Sequence, residues 1–460
     1  MPTLEGDYSK RDLDSKHNER ISDLMSVSSG GTLNIRSKGD LYLQQFSRET
    51  QTSFQKRINK SILDPATKDA INSTVGKIFS KPIIVENYPT SFNTLNIMNS
   101  FDNNGTDFQD FAEELARNAI KDGLCFAYVA FPKVAGGNKS QNDVISENLR
   151  PYARIVTSKA VINKVYSNVH GRDVLSQVTI LEYHHAKSNN GFNTVVSPAY
   201  RVIELRNNVI YYNLYVGGDS VDNGVINPIG SDNKSIPLIP CYAEKERFFV
   251  GKAPFEDLAV LNIEHYNLTS DFRNQLHVKG GATPVLTGST TTESKGESIV
   301  ISGDTILQLE EGSKFEFVTG GGELSYSVDE IIRIEKKMDS MKLDITNDNK
   351  QTATESLINK AQVESKLLSI VSNVEQSLNS IMKVMCIFSN ETWQGEIKLS
   401  KDFDLTVMSA EDANLLDNRY AMGLIDRITW LKENHAGERL RTVSNVEELG
   451  SVVDGLNSKE

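Results

Sequence analysis

The chain is 460 residues long, room for roughly three domains of ~150 residues or for one elongated protomer. Hydrophobic residues make up 38% and charged residues 24%, with 30 Gly and 12 Pro, which excludes collagen-like, disordered and disulfide-scaffold classes for the chain as a whole. With 49 basic against 61 acidic residues the formal charge is -12, so a nucleic acid partner is expected to be held loosely or at local patches.

Residues 1–40 mix charges of both signs with few large apolar side chains and the stretch SVSSGG, a composition that predicts a mobile or partner-ordered arm. The first twenty residues carry neither an apolar signal core nor an Arg-rich transit pattern, so the protein is expected to stay where it is made. From Leu41, apolar residues recur at helical spacing, with two helices joined at Asp64-Pro65. Thr106 and Gln109 form a capping-box pattern ahead of a helix with Phe108, Phe111, Ala112, Leu115 and Ala119 on one face, ending near Gly123. LCFAYVAFP then reads as a buried strand, and RPYARIV, AVINKVY, QVTILEYHH, YRVIELRNN and VIYYNLYVG as further strands, with a hairpin turn at Asn207-Asn208.

At Pro254 the period returns to helical: Leu258, Leu261, His265, Leu268, Phe272 and Leu276 predict one long helix to about Val278. ATPVLTG, SIVIS, TILQL and KFEFVT form a small β-rich insert. A second helix follows Gly320-Gly321-Gly322, with Val328, Ile331, Ile332, Met338, Met341 and Ile345 as its apolar positions. After the polar stretch 346–355, positions 357, 361, 364, 368, 371, 375, 378, 382 and 385 keep an unbroken four-three spacing. Ile358, Leu367, Ile370, Val374 and Ile381 widen that stripe, so a helix packed on several neighbours is expected rather than a two-stranded coil. A strand-like KLSKDFDLTV, a helix from about Ala410 to Gly423 and an amphipathic LIDRITWLKE close the chain.

Catalytic and cofactor motifs are sparse. Gly76-Lys77 and Gly251-Lys252 lack the upstream Gly and the hydroxyl of a phosphate-binding loop, and neither GxGxxG nor HExxH occurs. Cys125, Cys241 and Cys386 lie far apart in apolar contexts, which predicts neither a disulfide framework nor a CxxC metal motif and fits a reducing compartment. His184-His185 are adjacent on a strand and point to opposite faces, so one is expected in solvent and one packed. His265, on the apolar face of its helix, reads as a structural hydrogen-bonding residue. Acidic pairs such as Glu113-Glu114 and Glu310-Glu311 read as solvated surface, so no catalytic residue, cofactor or metal is expected. The longest apolar runs, Leu124 to Phe131 and Ile381 to Phe388, fall far short of the ~20 residues of a membrane span.

A mixed body, a long helix out, a small β insert, a helix back and a long packed helix follow one another in an order that resembles the portal proteins of tailed bacteriophages. The segments YLQQFSRETQTSFQKRINKSILDPATKDAINSTVGKIFSKPI, RPYARIV and IPLIPCYAEKERFFVGKAPFEDLAVLNIEHYNLTSDFRNQLHVKGGATPVLTG resemble, in particular, a family of short portal-like phage proteins long catalogued without assigned function. The resemblance spans about residues 41 to 440. It implies an α+β portal fold with a mixed wing, two long stem helices, a small β-rich clip, a long wing helix and a short helical C-terminal crown. By position, a flexible arm (1–40) precedes the wing (41–253), stem helix 1 (254–278), the clip (279–320) and stem helix 2 (321–345). A tunnel loop (346–355), the wing helix and return (356–400) and a short crown region (401–460) complete the order.

The resemblance further implies a non-enzymatic homo-oligomer, a 12-mer, at one capsid vertex of the virion, assembled in the host cytoplasm. Double-stranded DNA would pass through it, and the terminase large subunit, a tail adaptor or head-completion protein and the major capsid protein would dock on it, with no membrane partner. Asn347, Asn349, Lys350, Gln351 and Thr352 would face DNA, and Leu258, Leu261, His265, Leu268, Phe272, Val328, Ile331, Ile332 and Met338 would pack the stems. Acidic and basic residues of the second stem, among them Asp329, Glu330 and Glu335 against Arg333, Lys336 and Lys337, suit polar packing between neighbouring stems. Two other classes compete: a tail or head-completion protein without a DNA channel, and a metal-dependent nuclease or packaging motor, the last disfavoured by the missing phosphate loop.

Overall fold

The computed structural model describes residues 8–132, 147–169, 171–188, 191–207, 209–226, 235–280, 283–287, 312–318, 325–343, 353–401, 403 and 410–436. Helix α1 (Leu13–Ser29) begins at Asp12, whose carboxylate accepts from the Ser15 amide at 2.6 Å, and it buries Ile21, Met25 and Val27. Residues 8–40 are thus part of the body and not the mobile arm that their composition predicts. The helix escapes a hydropathy argument because half of its buried face is small and polar, with Ser15, Asn18, Ser22 and Ser28 inside. Hydrogen bonds hold what apolar area does not: Asn18 Nδ2 donates to the Phe249 carbonyl at 3.4 Å, and Ser22 Oγ to Asp122 Oδ2 at 3.0 Å.

Helices α2 (Thr32–Ser37), α3 (Gln51–Lys60) and α4 (Ala66–Ile78) follow, and Pro65 directly precedes the last of them, where its missing N–H costs nothing. After strand β1 (Ile84–Glu86) and the short α5 (Thr90–Thr94), helix α6 (Phe108–Asp122) starts one residue beyond the predicted cap. Asp107 accepts from the Asp110 amide at 2.7 Å, while the Thr106 hydroxyl is engaged with Asp102. The helix ends at Gly123 with φ +80°, where a Cβ would lie 2.6 Å from the backbone of Lys252 and Ala253. Only glycine permits that approach.

Strand β2 (Leu124–Ala130) is buried at all seven positions, because it is central in a three-stranded antiparallel sheet, between strands Tyr152–Thr157 and Leu238–Tyr242, and both α6 and a later long helix pack against it. Strands β3 (Tyr152–Thr157), β4 (Val161–Val169), β5 (Arg172–Lys187), β6 (Thr194–Arg206), β7 (Val209–Val216) and β8 (Asp219–Val225) come next, and β4 to β8 form a five-stranded antiparallel meander. The β6–β7 turn falls where Asn207 and Asn208 predict it, with Asn207 at φ 50°. The ends of β5 and β6 run past their neighbours: β4 pairs only as far as Ile180 and β7 only from Ala199. His184 and His185 lie on this two-stranded extension and both are exposed, which corrects the expectation that one of them packs.

Strand β9 (Leu238–Tyr242) sets Cys241 opposite Cys125 in register, so two thiols remote in sequence are cross-strand neighbours. Both are free and fully buried, and burial raises the Cys125 thiol well above its ordinary range and pushes Cys241 up to about 12. Neither is a nucleophile near neutral pH. The hairpin β10 (Glu244–Arg247) and β11 (Val250–Lys252) leads into the long helix α7 (Glu256–Gly280). Strands β12 (Thr283–Thr287) and β13 (Lys314–Val318) pair antiparallel beyond its end, while SIVIS and TILQL lie outside the described residues. Helix α8 (Ser325–Met341) returns, and α9 (Ala353–Phe388) is the longest element.

From Leu367 onward α9 is a core helix, with Ile370, Val371, Val374, Leu378, Ile381, Met382 and Met385 buried. It also donates to backbone carbonyls of the sheet edge, from Asn373 Nδ2 to Ala243 at 3.0 Å and from Ser377 Oγ to Pro240 at 3.0 Å. Of the strand-like 398–407 stretch, Lys398 closes β14 (Glu396–Lys398), which pairs with β1, while 402 and 404–407 lie outside the described residues. Helices α10 (Ala410–Ala421) and α11 (Arg427–Ala436) end the described chain.

Asp122 offers a pH test of the α1–α6 contact. Its side chain is buried, its nearest cation is Lys121 Nζ at 3.6 Å, and desolvation raises its carboxyl above the usual range. A raised carboxyl favours the native state while protonated, and that contribution is lost as pH climbs from the ordinary carboxylate value through the raised one. Asp122→Asn keeps an acceptor for Ser22 Oγ and is expected to be more stable than the natural chain at pH 7 by about 1 kcal/mol. In denaturant titrations the gap should close on acidification; a gap that widens at low pH contradicts the assignment.

Candidate assembly site on the paired helices

Helices α7 and α8 run antiparallel and pack along each other, with the β12–β13 pair at their far end. Their roots are fixed in the body. On α7, Leu258, Ala259, Asn262 and Tyr266 are buried, and the Asn262 amide donates to the Asp64 carbonyl at 3.0 Å and to Thr67 Oγ1 at 3.2 Å. On α8, Ile334 and Met338 are buried, and Lys77 Nζ from α4 donates to the Leu343 carbonyl at 2.7 Å, which neutralises the end of the helix where carbonyls lack partners. Between the rods, His265 Nε2 lies 3.1 Å from Glu335 Oε1, while His265 Nδ1 is buried without a partner. Donation from Nε2 to the carboxylate is the arrangement that this geometry satisfies.

Toward the far end the rods lose their cover. Leu276 is 44% exposed on α7, and on α8 Tyr326, Val328 and Ile332 are 78%, 36% and 40% exposed. Two charge pairs lie along this surface: Arg333 forks onto Glu330, with Nε donating at 2.8 Å, and Lys342, just past the end of α8, places Nζ 2.7 Å from Asp339. Such exposed pairs three residues apart contribute little to stability.

Of the residues expected to pack the stems, Leu258, His265 and Met338 are buried, and Leu261, Leu268, Phe272 and Ile331 are partly covered. Val328 and Ile332 are covered only in part within the protomer and stand on the exposed side of α8. Ile334 is absent from the expected set, although its spacing of four from Met338 carries the signal, and Asn262 and Tyr266 are hidden by their polar groups. Asn347, Asn349, Lys350, Gln351 and Thr352 lie outside the described residues. Among the described residues, no three His, Cys, Asp or Glu gather where they could hold a metal, and no helix is long and apolar enough to cross a membrane.

Residues 254–389, which run from the start of the long helix to the end of α9, match a family model described as a domain of unknown function, DUF4055. No curated protein matches the chain. Among solved structures, the chain is similar to a chain of the virion of a native gene transfer agent (GTA) particle, at 10% identity and a TM-score of 0.41, covering 86% of this chain and 96% of that one. It is also similar to a chain from the neck of an empty GTA particle computed with C6 symmetry, at 11% identity and a TM-score of 0.43, covering 85% and 95%. A chain from the neck of a native GTA particle computed with C12 symmetry is similar at 11% identity and a TM-score of 0.40, covering 80% and 88%.

Proposed function

We propose that this chain is the protomer of a portal: a non-enzymatic ring, a homo-dodecamer, at one capsid vertex, through which double-stranded DNA is packaged and ejected. The observation that carries this reading is the pair of antiparallel rods, rooted in the body and ending in a β pair, whose outer halves keep Leu276, Tyr326, Val328 and Ile332 in solvent. Apolar side chains along an exposed rod are the mark of a surface that a neighbour covers. A ring of identical copies supplies that neighbour, since each protomer's rods then pack against the next in a closed cyclic contact. The β12–β13 end is the part that would meet the terminase large subunit and later the tail adaptor, and the body would seat in the shell of major capsid protein.

Charge fits the same role. A conduit that gripped every phosphate would resist movement of the duplex, and a chain with a net charge of -12 does not grip. The stretch that joins α8 to α9 would face the DNA with Lys350 as its one cation between Asn347 and Thr352. Native mass spectrometry and negative-stain images of the full chain test the reading. Closed rings with a central opening are expected, and a stable monomer under assembly conditions overturns it.

A further inference from the structure

An open cleft of about 340 Å³ lies where α3 meets α7. The two helices are joined there by Ser61 Oγ to Ser270 Oγ at 2.8 Å, Arg57 Nη1 to Asp271 Oδ1 at 3.2 Å and Arg273 Nη1 to the Lys60 carbonyl at 3.2 Å. Five of the lining residues are Lys56, Arg57, Lys60, Arg273 and His277. All the others carry a hydroxyl or an amide, and no carboxylate or apolar side chain lines the cleft. In a chain where acids outnumber bases by 61 to 49, an all-donor wall is the reverse of the average surface.

We propose that this cleft is a binding site for phosphate groups. The donors come from two directions. Lys56 and Lys60 stand four residues apart on α3, and Arg273 and His277 four apart on α7, so each helix presents a pair separated by about one turn. The two carboxylates closest to the wall are already engaged: Glu49 accepts both Nε and Nη2 of Arg57, and Asp271 accepts its Nη1. Among the described residues, Lys56 and Lys60 have no carboxylate partner, so their charge is available to a ligand.

The donor set favours phosphate over carboxylate. Bidentate carboxylate recognition uses the planar fork of an arginine, and the fork of Arg57 is occupied. What remains are two lysine point charges, the part of the Arg273 guanidinium not spent on the Lys60 carbonyl, and hydroxyls, a divergent set that suits an anion with oxygens in several directions. The argument for the site uses none of Leu276, Tyr326, Val328 or Ile332, and so does not rest on the ring reading. The phosphate could be a free ion or part of a nucleic acid backbone.

The test compares the full chain with Lys56→Ala/Lys60→Ala, two exposed positions whose truncation spares the core. Binding of a short labelled duplex is followed by anisotropy over a salt series, and binding of inorganic phosphate by calorimetry. If the source is a backbone, the natural chain binds duplex, and the variant binds about tenfold more weakly, with a salt slope smaller by ~0.9 for each phosphate it no longer neutralises. If the source is the free ion, calorimetry gives phosphate binding that the variant lacks. Binding of neither probe, equal binding by both chains, or an oligoglutamate peptide that binds as tightly as duplex of the same charge overturns the proposal.

Discussion

Val328→Asp combined with Ile332→Asp is expected to abolish ring assembly and to leave the protomer folded. The two residues stand four apart on one side of α8, 36% and 40% exposed, while the side that packs on the body is held by Ile334 and Met338. Substitutions at such positions cost the isolated chain within about 0.5 kcal/mol. In the ring proposed above, the same positions would lie between copies, where an unpaired carboxylate loses several kcal/mol of hydration with nothing to replace it. Two of them at every contact exceed what a contact between neighbours tolerates. Native mass should move from ring to protomer, with an unchanged denaturant midpoint and circular dichroism. Rings that persist in the double variant remove this face of α8 from the assembly.

The elements legible in the sequence are those whose burial is apolar and periodic. The face of α6 follows from its period and the seven buried positions of β2 from an apolar run with its boundary signals, whereas the stripe of α9 holds only from Leu367 onward, with Ile358 and Ala361 exposed before it and Leu368 exposed beside it. Strand β9 is harder, because Pro240 sits within it; the strand is at the edge of its sheet, where a missing N–H breaks no ladder. Strand β8, DSVDNGV, has the composition of a turn and is held only by pairing with β7. Helix α1 is illegible because hydrogen-bonded serines and an asparagine take the place of apolar mass.

At the paired rods the limit is different. Ile331, Ile332 and Ile334 are all apolar and close in sequence, and a helical period does not say which of them meets the body. Residue spacing also carries no trace of contacts such as Arg57 to Asp271, which join positions 214 apart and tie α3 to the long helix past its midpoint.

That contact belongs to the most consequential side chain outside the apolar core. Arg57 is 6% exposed and tied on every side. Its Nε and Nη2 donate to the two oxygens of Glu49 at 3.0 and 2.9 Å, Nη2 also reaches the Gln44 carbonyl, Nη1 reaches Asp271, and the guanidinium lies 4.1 Å from the centre of the Phe46 ring. The two carboxylates respond oppositely. The hydrogen bonds from Arg57 hold Glu49 below the usual carboxylate range, whereas burial raises Asp271, which receives one contact of 3.2 Å instead of the fork. Arg57→Ala therefore strands a buried Glu49, and a loss of about 3–5 kcal/mol is expected at pH 7. Arg57→Lys retains the charge without the fork and should fall between. Arg57→Ala/Glu49→Ala removes both charges and should recover a large part of the loss, because the cost lies in the unpaired partner.

The pH dependence fixes the sign. A lowered carboxyl contributes stability above its ordinary value and loses it as pH falls through the lowered one. The difference between the natural chain and Arg57→Ala should thus be largest near neutrality and shrink on acidification, read from guanidinium midpoints across that range. A loss below about 1 kcal/mol, or one that does not change with pH, would mean that the Arg57 cluster does not anchor α3 to the long helix.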